Sequence, residues 1–150
     1  MKKRILVVGP SKAGKSSLVN ILNDSTKPLK STQEIFYGKN TIDTPGSYIE
    51  NPSMYRYLIA TGQSACHVLM LIDQSRPIEV YPPGFAKSFT CPVSGVITKI
   101  DLASENAELC VEQLKRIGIS KPFFRISIKD DIGIKGLKHY LLGKLEILKK

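Results

Sequence analysis

No apolar run in this 150-residue chain approaches the ~20 residues that cross a bilayer; the longest, Cys66 to Ile72, is strand length. The opening Met1-Lys2-Lys3-Arg4 is followed only by Ile5 to Val8 before a glycine loop, too short an apolar stretch for a secretory signal. A cytoplasmic chain with no membrane span is expected. Cysteine is scarce: Cys66, Cys91 and Cys110 are an odd number, widely scattered, with no CxxC and no histidine at metal-ligand spacing. That excludes a disulfide framework or a zinc site and leaves reduced thiols. Acidic residues are outnumbered, giving a formal charge of +9, which favours an anionic partner. Yet the lysines are spread along the chain, aromatics are not interleaved with them, and no nucleic-acid motif is present, so no nucleic-acid partner is expected. Internal repeats and dividing linkers are also missing. With 42% hydrophobic and 23% charged residues, one domain spanning 1–150 is the expectation.

What is present is an alternation of short β-branched runs with helical patterns, the mark of βαβ units on a largely parallel sheet. Arg4 to Val8 reads as the first strand, and Lys15 to Asn23 as a helix with Leu18, Val19 and Leu22 on one stripe. Gln33 to Tyr37 and Asn40 to Asp43 read as strands around a Gly38-Lys39 hairpin, so one of them should be antiparallel at an edge. Pro52 should open a helix reaching about Thr61. Strands follow at Cys66 to Ile72 and Val93 to Thr98, then a helix from Glu105 to Ile117 closed by Gly118, with Leu109, Leu114 and Ile117 in register. Phe123 to Ile128 is the last strand and Ile134 to Leu148 the last helix. Between Asp73 and Cys91, three prolines, one glycine and no clear period predict an exposed loop with at most one short helix.

Gly9-Pro10-Ser11-Lys12-Ala13-Gly14-Lys15-Ser16 matches G-x-x-x-x-G-K-[ST], directly after a strand and opening a helix. The expected fold is accordingly α/β, a P-loop NTPase three-layer sandwich, mostly parallel with one antiparallel edge strand. In such a loop the glycines let successive N–H groups point at phosphate oxygens, aided by the helix N-terminus that Ser17 continues. Lys15 would reach the β- and γ-phosphates and the Ser16 hydroxyl would ligate Mg²⁺. Asp43-Thr44-Pro45-Gly46 is by itself a good turn sequence. One strand-hairpin unit after a P-loop it reads as D-x-x-G, with Asp43 holding Mg²⁺ through water and the Gly46 N–H sensing the γ-phosphate. Thr98-Lys99-Ile100-Asp101 matches [NT]-K-x-D, in which the carboxylate accepts from guanine N1–H and the exocyclic amine, groups that adenine lacks, while the lysine stem lies along the base. Thr98 in place of asparagine loses an amide that commonly bridges to the P-loop. Ser127-Ile128-Lys129 stands where a base-backing loop belongs, with the Ile128 N–H a donor to guanine O6. A switch hydroxyl for Mg²⁺ is sought between the first helix and the first edge strand. Thr32 is the first choice, with Ser31 and Thr26 as competitors.

With these residues in place the chain resembles a TRAFAC-type small GTPase domain, and within that group the EutP and PduV family of ethanolamine and propanediol utilisation. The likeness covers nearly the whole chain: the P-loop, Lys30-Ser31-Thr32-Gln33, Ile42-Asp43-Thr44-Pro45-Gly46-Ser47-Tyr48 with Pro52, Tyr55 and Leu58-Ile59 downstream, Pro83-Gly84-Phe85, and Thr98-Lys99-Ile100-Asp101. It implies a protein encoded with bacterial microcompartment systems, associating with a shell protein. An acetate kinase activity is attributed to the ethanolamine branch.

The residue after D-x-x-G is Ser47, too short to orient water as the glutamine of many small GTPases does. Slow GTP hydrolysis is therefore expected. Gln33, a partner, a cation or dimerisation could position the water instead, and Arg56 is the nearest basic residue but reads as a solvated helix position. Three readings stay open: a slow guanine-nucleotide switch using Mg²⁺ and GTP/GDP, a phosphotransferase using ATP and a small carboxylate beside a cation such as Lys12, and a non-catalytic nucleotide binder.

Overall fold

In a computed structural model that describes residues 4–26 and 34–149, with side chains described as far as Gly143, six strands form one sheet in the order β2-β3-β1-β4-β5-β6. The strands are β1 (Ile5–Val8), β2 (Phe36–Tyr37), β3 (Thr41–Asp43), β4 (His67–Asp73), β5 (Val93–Thr98) and β6 (Phe123–Arg125). All neighbours pair in parallel except β2 with β3, which are antiparallel with Phe36 opposite Asp43. The expected edge hairpin is therefore present, turning where the Gly38 N–H donates to the Thr41 carbonyl at 2.8 Å.

Alternation along each strand builds a core on both faces. Ile5 and Val7 of β1 meet Leu18, Val19 and Leu22 of α1 (Lys15–Leu22) and Leu137 and Leu141 of α5 (Ile134–Lys149). Leu6 and Val8 point to the other face, under Leu58 of α3 (Tyr55–Gly62) and Cys110, Leu114 and Ile117 of α4 (Ala107–Ile117). The three layers follow. Strand order reverses at β1, which lies between β3 and β4, and in open α/β sheets the crevice outside the strand C-termini at such a point is where ligands bind.

The remaining helix, α2 (Gly46–Glu50), lies in a stretch to which the sequence pattern assigns no element. Asn51 is extended (φ −124°, ψ 110°) and separates α2 from a short 3₁₀ turn at Pro52–Met54 that leads into α3. A residue before proline is pushed out of the helical region, so Asn51-Pro52 divides what would otherwise be one longer helix. The apolar stripe of α4 is rotated from the expected one. Cys110, Gln113, Leu114 and Ile117 are buried, whereas Leu109, one position and ~100° away, is 43% exposed. The last strand stops at Arg125 rather than Ile128, because Ser127 pairs with Ile132 across a tight loop. The stretch between Asp73 and Cys91 is irregular with one short helical turn, as expected, but only part of it is exposed. Tyr81, Phe85, Ala86 and Phe89 are buried over one face of the sheet, and Phe85–Ser88 forms a short 3₁₀ turn. Its apolar residues lack a helical or strand period because they pack from irregular backbone.

Candidate functional site

The loop from Gly9 to Gly14 leaves β1 and delivers the chain into α1. Its turn is held by the Ala13 N–H donating to the Pro10 carbonyl at 3.3 Å, with Ala13 and Pro10 buried and Ser11 and Lys12 at the surface. Two residues adopt left-handed backbone, Lys12 (φ 68°) and Gly14 (φ 91°). For Gly14 this costs nothing sterically, and it caps α1 without any side-chain hydrogen bond, leaving the first N–H groups of the helix facing the loop. No acidic residue lies in the first turn of α1. Lys15 opens the helix and is only 8% exposed. Its Nζ donates to the Thr44 carbonyl at 2.6 Å and lies 3.6 Å from Asp43 Oδ1. Burial lowers the pKa of Lys15, opposed by the charges of Asp43 and Glu50. Ser16 and Ser17, half-buried, follow on the helix.

Asp43 ends β3 beside Val7 of β1, and the Thr44 hydroxyl donates to the Val7 carbonyl at 2.9 Å, so the segment after β3 is fixed against the start of the P-loop. Contact is closest at Gly46. A Cβ there would lie 2.5 Å from the Ser11 nitrogen and 2.8 Å from its Cα, a distance no side chain tolerates. One turn later Glu50 reaches back to the same residue, accepting from Ser11 Oγ at 3.0 Å and from the Ser11 N–H at 3.4 Å. Ser47 is exposed.

At the other end of the P-loop a cleft of about 250 Å³ is lined by Gly14, Ser17, Thr98, Lys99, Asp101, Leu102, Ile128 and Lys129. Its floor is tied together. The Thr98 hydroxyl donates to the Ala13 carbonyl at 2.8 Å and lies 3.3 Å from that of Ile72. With no amide at this position, the threonine hydroxyl makes the bridge to the P-loop. Lys99, with left-handed backbone (φ 57°), donates through Nζ to the Lys12 carbonyl at 2.6 Å and to Asp73 Oδ2 at 2.8 Å. Asp101 Oδ1 accepts from the buried Ser127 hydroxyl at 2.8 Å, and Ser127 Oγ in turn accepts from the Asp130 N–H at 3.1 Å. The carboxylate is thereby oriented from behind, with Ile128 and Lys129 beside it.

The structure brings the Gly9–Ser17 segment, Asp43, Gly46, Thr98, Lys99, Asp101 and Ser127–Lys129 to one end of the sheet. Thr32, Ser31 and Gln33 lie outside the described residues, and Thr26 is exposed. Arg56 is on α3, its guanidinium over the Tyr57 ring at 5.1 Å. Three contributors escaped sequence reading. Glu50 carries no motif, and only the helical phase from Gly46 would have pointed to it. Asp73 ends β4 and fixes Lys99. Gln74 is buried and donates to the Leu102 carbonyl at 2.8 Å, holding the loop that carries Asp101.

Among the described residues no cluster of three or more His, Cys, Asp or Glu could hold a metal unaided. The donors at hand, the Ser16 hydroxyl and the Asp43 carboxylate, are hard oxygens. Such a pair suits a Mg²⁺ that keeps waters and takes further oxygens from a phosphate. No helix among the described residues is long and apolar enough to cross a membrane.

A family model described as ethanolamine utilisation and propanediol utilisation, PduV-EutP, matches residues 1–143. The propanediol utilization protein PduV of Citrobacter freundii is 36% identical over 129 residues, covering 85% of this chain and 86% of the relative. A protein of Escherichia coli strain K12 named "Probable acetate kinase EutP" is 30% identical over 141 residues, covering 93% of this chain and 89% of the relative. Among solved structures, a probable GTP-binding protein engB superposes with a TM-score of 0.67 at 18% identity, over 95% of this chain and 98% of that one, a likeness of fold. By motifs, architecture and near full-length similarity, the chain belongs to the PduV-EutP family and has the fold of a P-loop GTPase G domain.

Proposed function

We propose that this chain binds guanine nucleotide with Mg²⁺, hydrolyses GTP slowly, and serves ethanolamine or propanediol utilisation, in company with a microcompartment shell protein. The observation that carries the reading is Asp101. Its carboxylate is held by Ser127 in the lining of a cleft of about 250 Å³, and Lys99 beside it is bonded to the P-loop carbonyl of Lys12. An acceptor pair facing that cleft suits the N1–H and amine of guanine, whereas adenine offers an acceptor at N1 and would be left opposite a carboxylate. The phosphates would run from this cleft along the P-loop N–H groups toward Lys15 and the Gly46 N–H. Ser16 and Asp43, with Thr32, would hold Mg²⁺, which neutralises phosphate charge when bound. The whole-chain unit 1–150 would act as one nucleotide-binding domain.

The naming of the Escherichia coli relative favours a second reading, phosphoryl transfer to a small carboxylate such as acetate. The exposed ammonium of Lys12 would be its carboxylate-binding group, and Asp101 weighs against ATP as donor. Calorimetric titration of the purified chain with GTP, GDP, ATP and ADP in the presence of Mg²⁺ separates the readings. Guanine nucleotides binding at least about tenfold tighter supports the switch. Equal binding of ATP, with acetate-dependent formation of acetyl phosphate, replaces it with the kinase.

A further inference from the structure

Glu50 belongs to none of the nucleotide-binding motifs, yet its carboxylate rests on the P-loop. Gly46 and Glu50 stand one turn apart on α2 and so share a face. That face lies against Ser11, where Gly46 leaves no room for a Cβ and Glu50 accepts from both the hydroxyl and the backbone N–H. The same carboxylate acts electrostatically on the buried Lys15. A P-loop N–H, a hydroxyl and a lysine are the groups with which such a loop receives phosphate oxygens. Here an anion of the protein already faces them.

Its position along the loop identifies which phosphate it meets. The Asp101 cleft is bounded by Gly14 and Ser17, at the α1 end of the P-loop. Ser11 is at the opposite end, against Gly46. A nucleotide seated with its base in the cleft therefore directs its terminal phosphate toward Ser11 and Glu50, while a diphosphate stops short of them. We infer that Glu50 is a specificity-determining residue that disfavours the third phosphate: its carboxylate occupies the terminal-phosphate corner of the P-loop, so a nucleoside triphosphate must displace it and a diphosphate need not. The inference rests on the guanine-nucleotide reading above. Both partners are exposed, so the repulsion is screened by salt and of a size a ligand can overcome.

The test is fluorescence titration of the full chain with labelled GDP and a labelled non-hydrolysable GTP analogue, both with Mg²⁺, for wild type, Glu50→Gln and Glu50→Ala. Thermal melting of each variant checks folding. The expected result is that both variants bind the triphosphate at least fivefold tighter while GDP affinity stays within twofold, and that raising salt narrows the GDP preference of wild type more than that of Glu50→Gln. An unchanged triphosphate-to-diphosphate ratio, equal tightening of both, or selective loss of triphosphate overturns the inference, the last by making Glu50 a ligand-holding group instead. Wild type binding neither guanine nucleotide would instead overturn the underlying reading and the inference together.

Discussion

The hydroxyl of Thr98, the last residue of β5, donates to the carbonyl of Ala13 in the P-loop at 2.8 Å, both groups buried. This bond joins the loop that carries Asp101 to the loop that carries Lys15. Thr98→Val keeps the shape and removes the donor, leaving a buried carbonyl unsatisfied, at a cost of about 1 to 3 kcal/mol. Urea denaturation should show that loss, and GDP should bind several-fold more weakly. Thr98→Ser, which keeps the hydroxyl, should behave close to wild type; a Ser variant as impaired as Val would mean that the methyl group, not the bond, matters.

Base discrimination tests the opposite side of the cleft. Asp101→Asn replaces one acceptor oxygen by a donor and should erode a guanine preference worth about 1.4 kcal/mol or more, the equivalent of tenfold. Ser127→Ala keeps the carboxylate but removes the group behind it, so its effect should fall between wild type and Asp101→Asn. Calorimetry with GDP and ADP reads both, and a preference untouched in Asp101→Asn contradicts the assignment.

Hydrolysis should be slow because the residue after Gly46 is an exposed serine. Single-turnover hydrolysis of GTP is expected to run several orders of magnitude below the ~10 per second of a median enzyme. Ser47→Ala should leave that rate nearly unchanged, in K⁺ and in Na⁺ alike. A large loss in the variant would show that Ser47 touches the reacting water after all.

Alkaline stability follows from Tyr81. Its hydroxyl lies 2.8 Å from the Leu71 carbonyl and 3.1 Å from that of Val8, and burial raises its pKa above the usual tyrosine value. In the unfolded chain the phenol loses its proton near pH ~10, whereas the folded chain keeps it bound to higher pH. The native state then holds more protons than the unfolded one, so stability falls as pH rises above about 10. Tyr81→Phe should flatten that decline while costing about 1 kcal/mol at neutral pH. Urea midpoints of both proteins between neutrality and pH ~11 check the crossing trends.

The P-loop, the Asp43 strand and the Thr98-Lys99-Ile100-Asp101 loop were legible because each couples a short motif to the end of a strand, and motif and period agree. Glu50 was not legible, since its role depends on α2 being helical, and a five-residue helix gives too little period to detect. Asp73 and Gln74 were hidden for another reason. They look like the ordinary polar end of a strand, and only the neighbouring strand β5 and its loop show what they hold. The Pro-rich stretch misled because proline and glycine signal irregular backbone, which is what it has, but carry no information about burial. Tyr81, Phe85 and Phe89 are core residues on a loop.

The extended residue Asn51 has a mechanical consequence. Between Pro45, also extended (φ −61°, ψ 138°), and Asn51, α2 is a rigid five-residue segment hung on two non-helical joints, with Ile49 its one buried side chain. The helix beyond, α3, is anchored separately by Leu58 and Gly62. So α2 can rotate away from Ser11 by torsion at those two joints, withdrawing Ile49 and the half-buried Tyr48 from the core and giving up the contact between the Tyr48 and Tyr57 rings, without unwinding α3 or moving the sheet. Opening confined to one short segment costs less than unfolding the sheet or α3. Amide protons of residues 46–50 should then exchange with solvent sooner than those of 58–62.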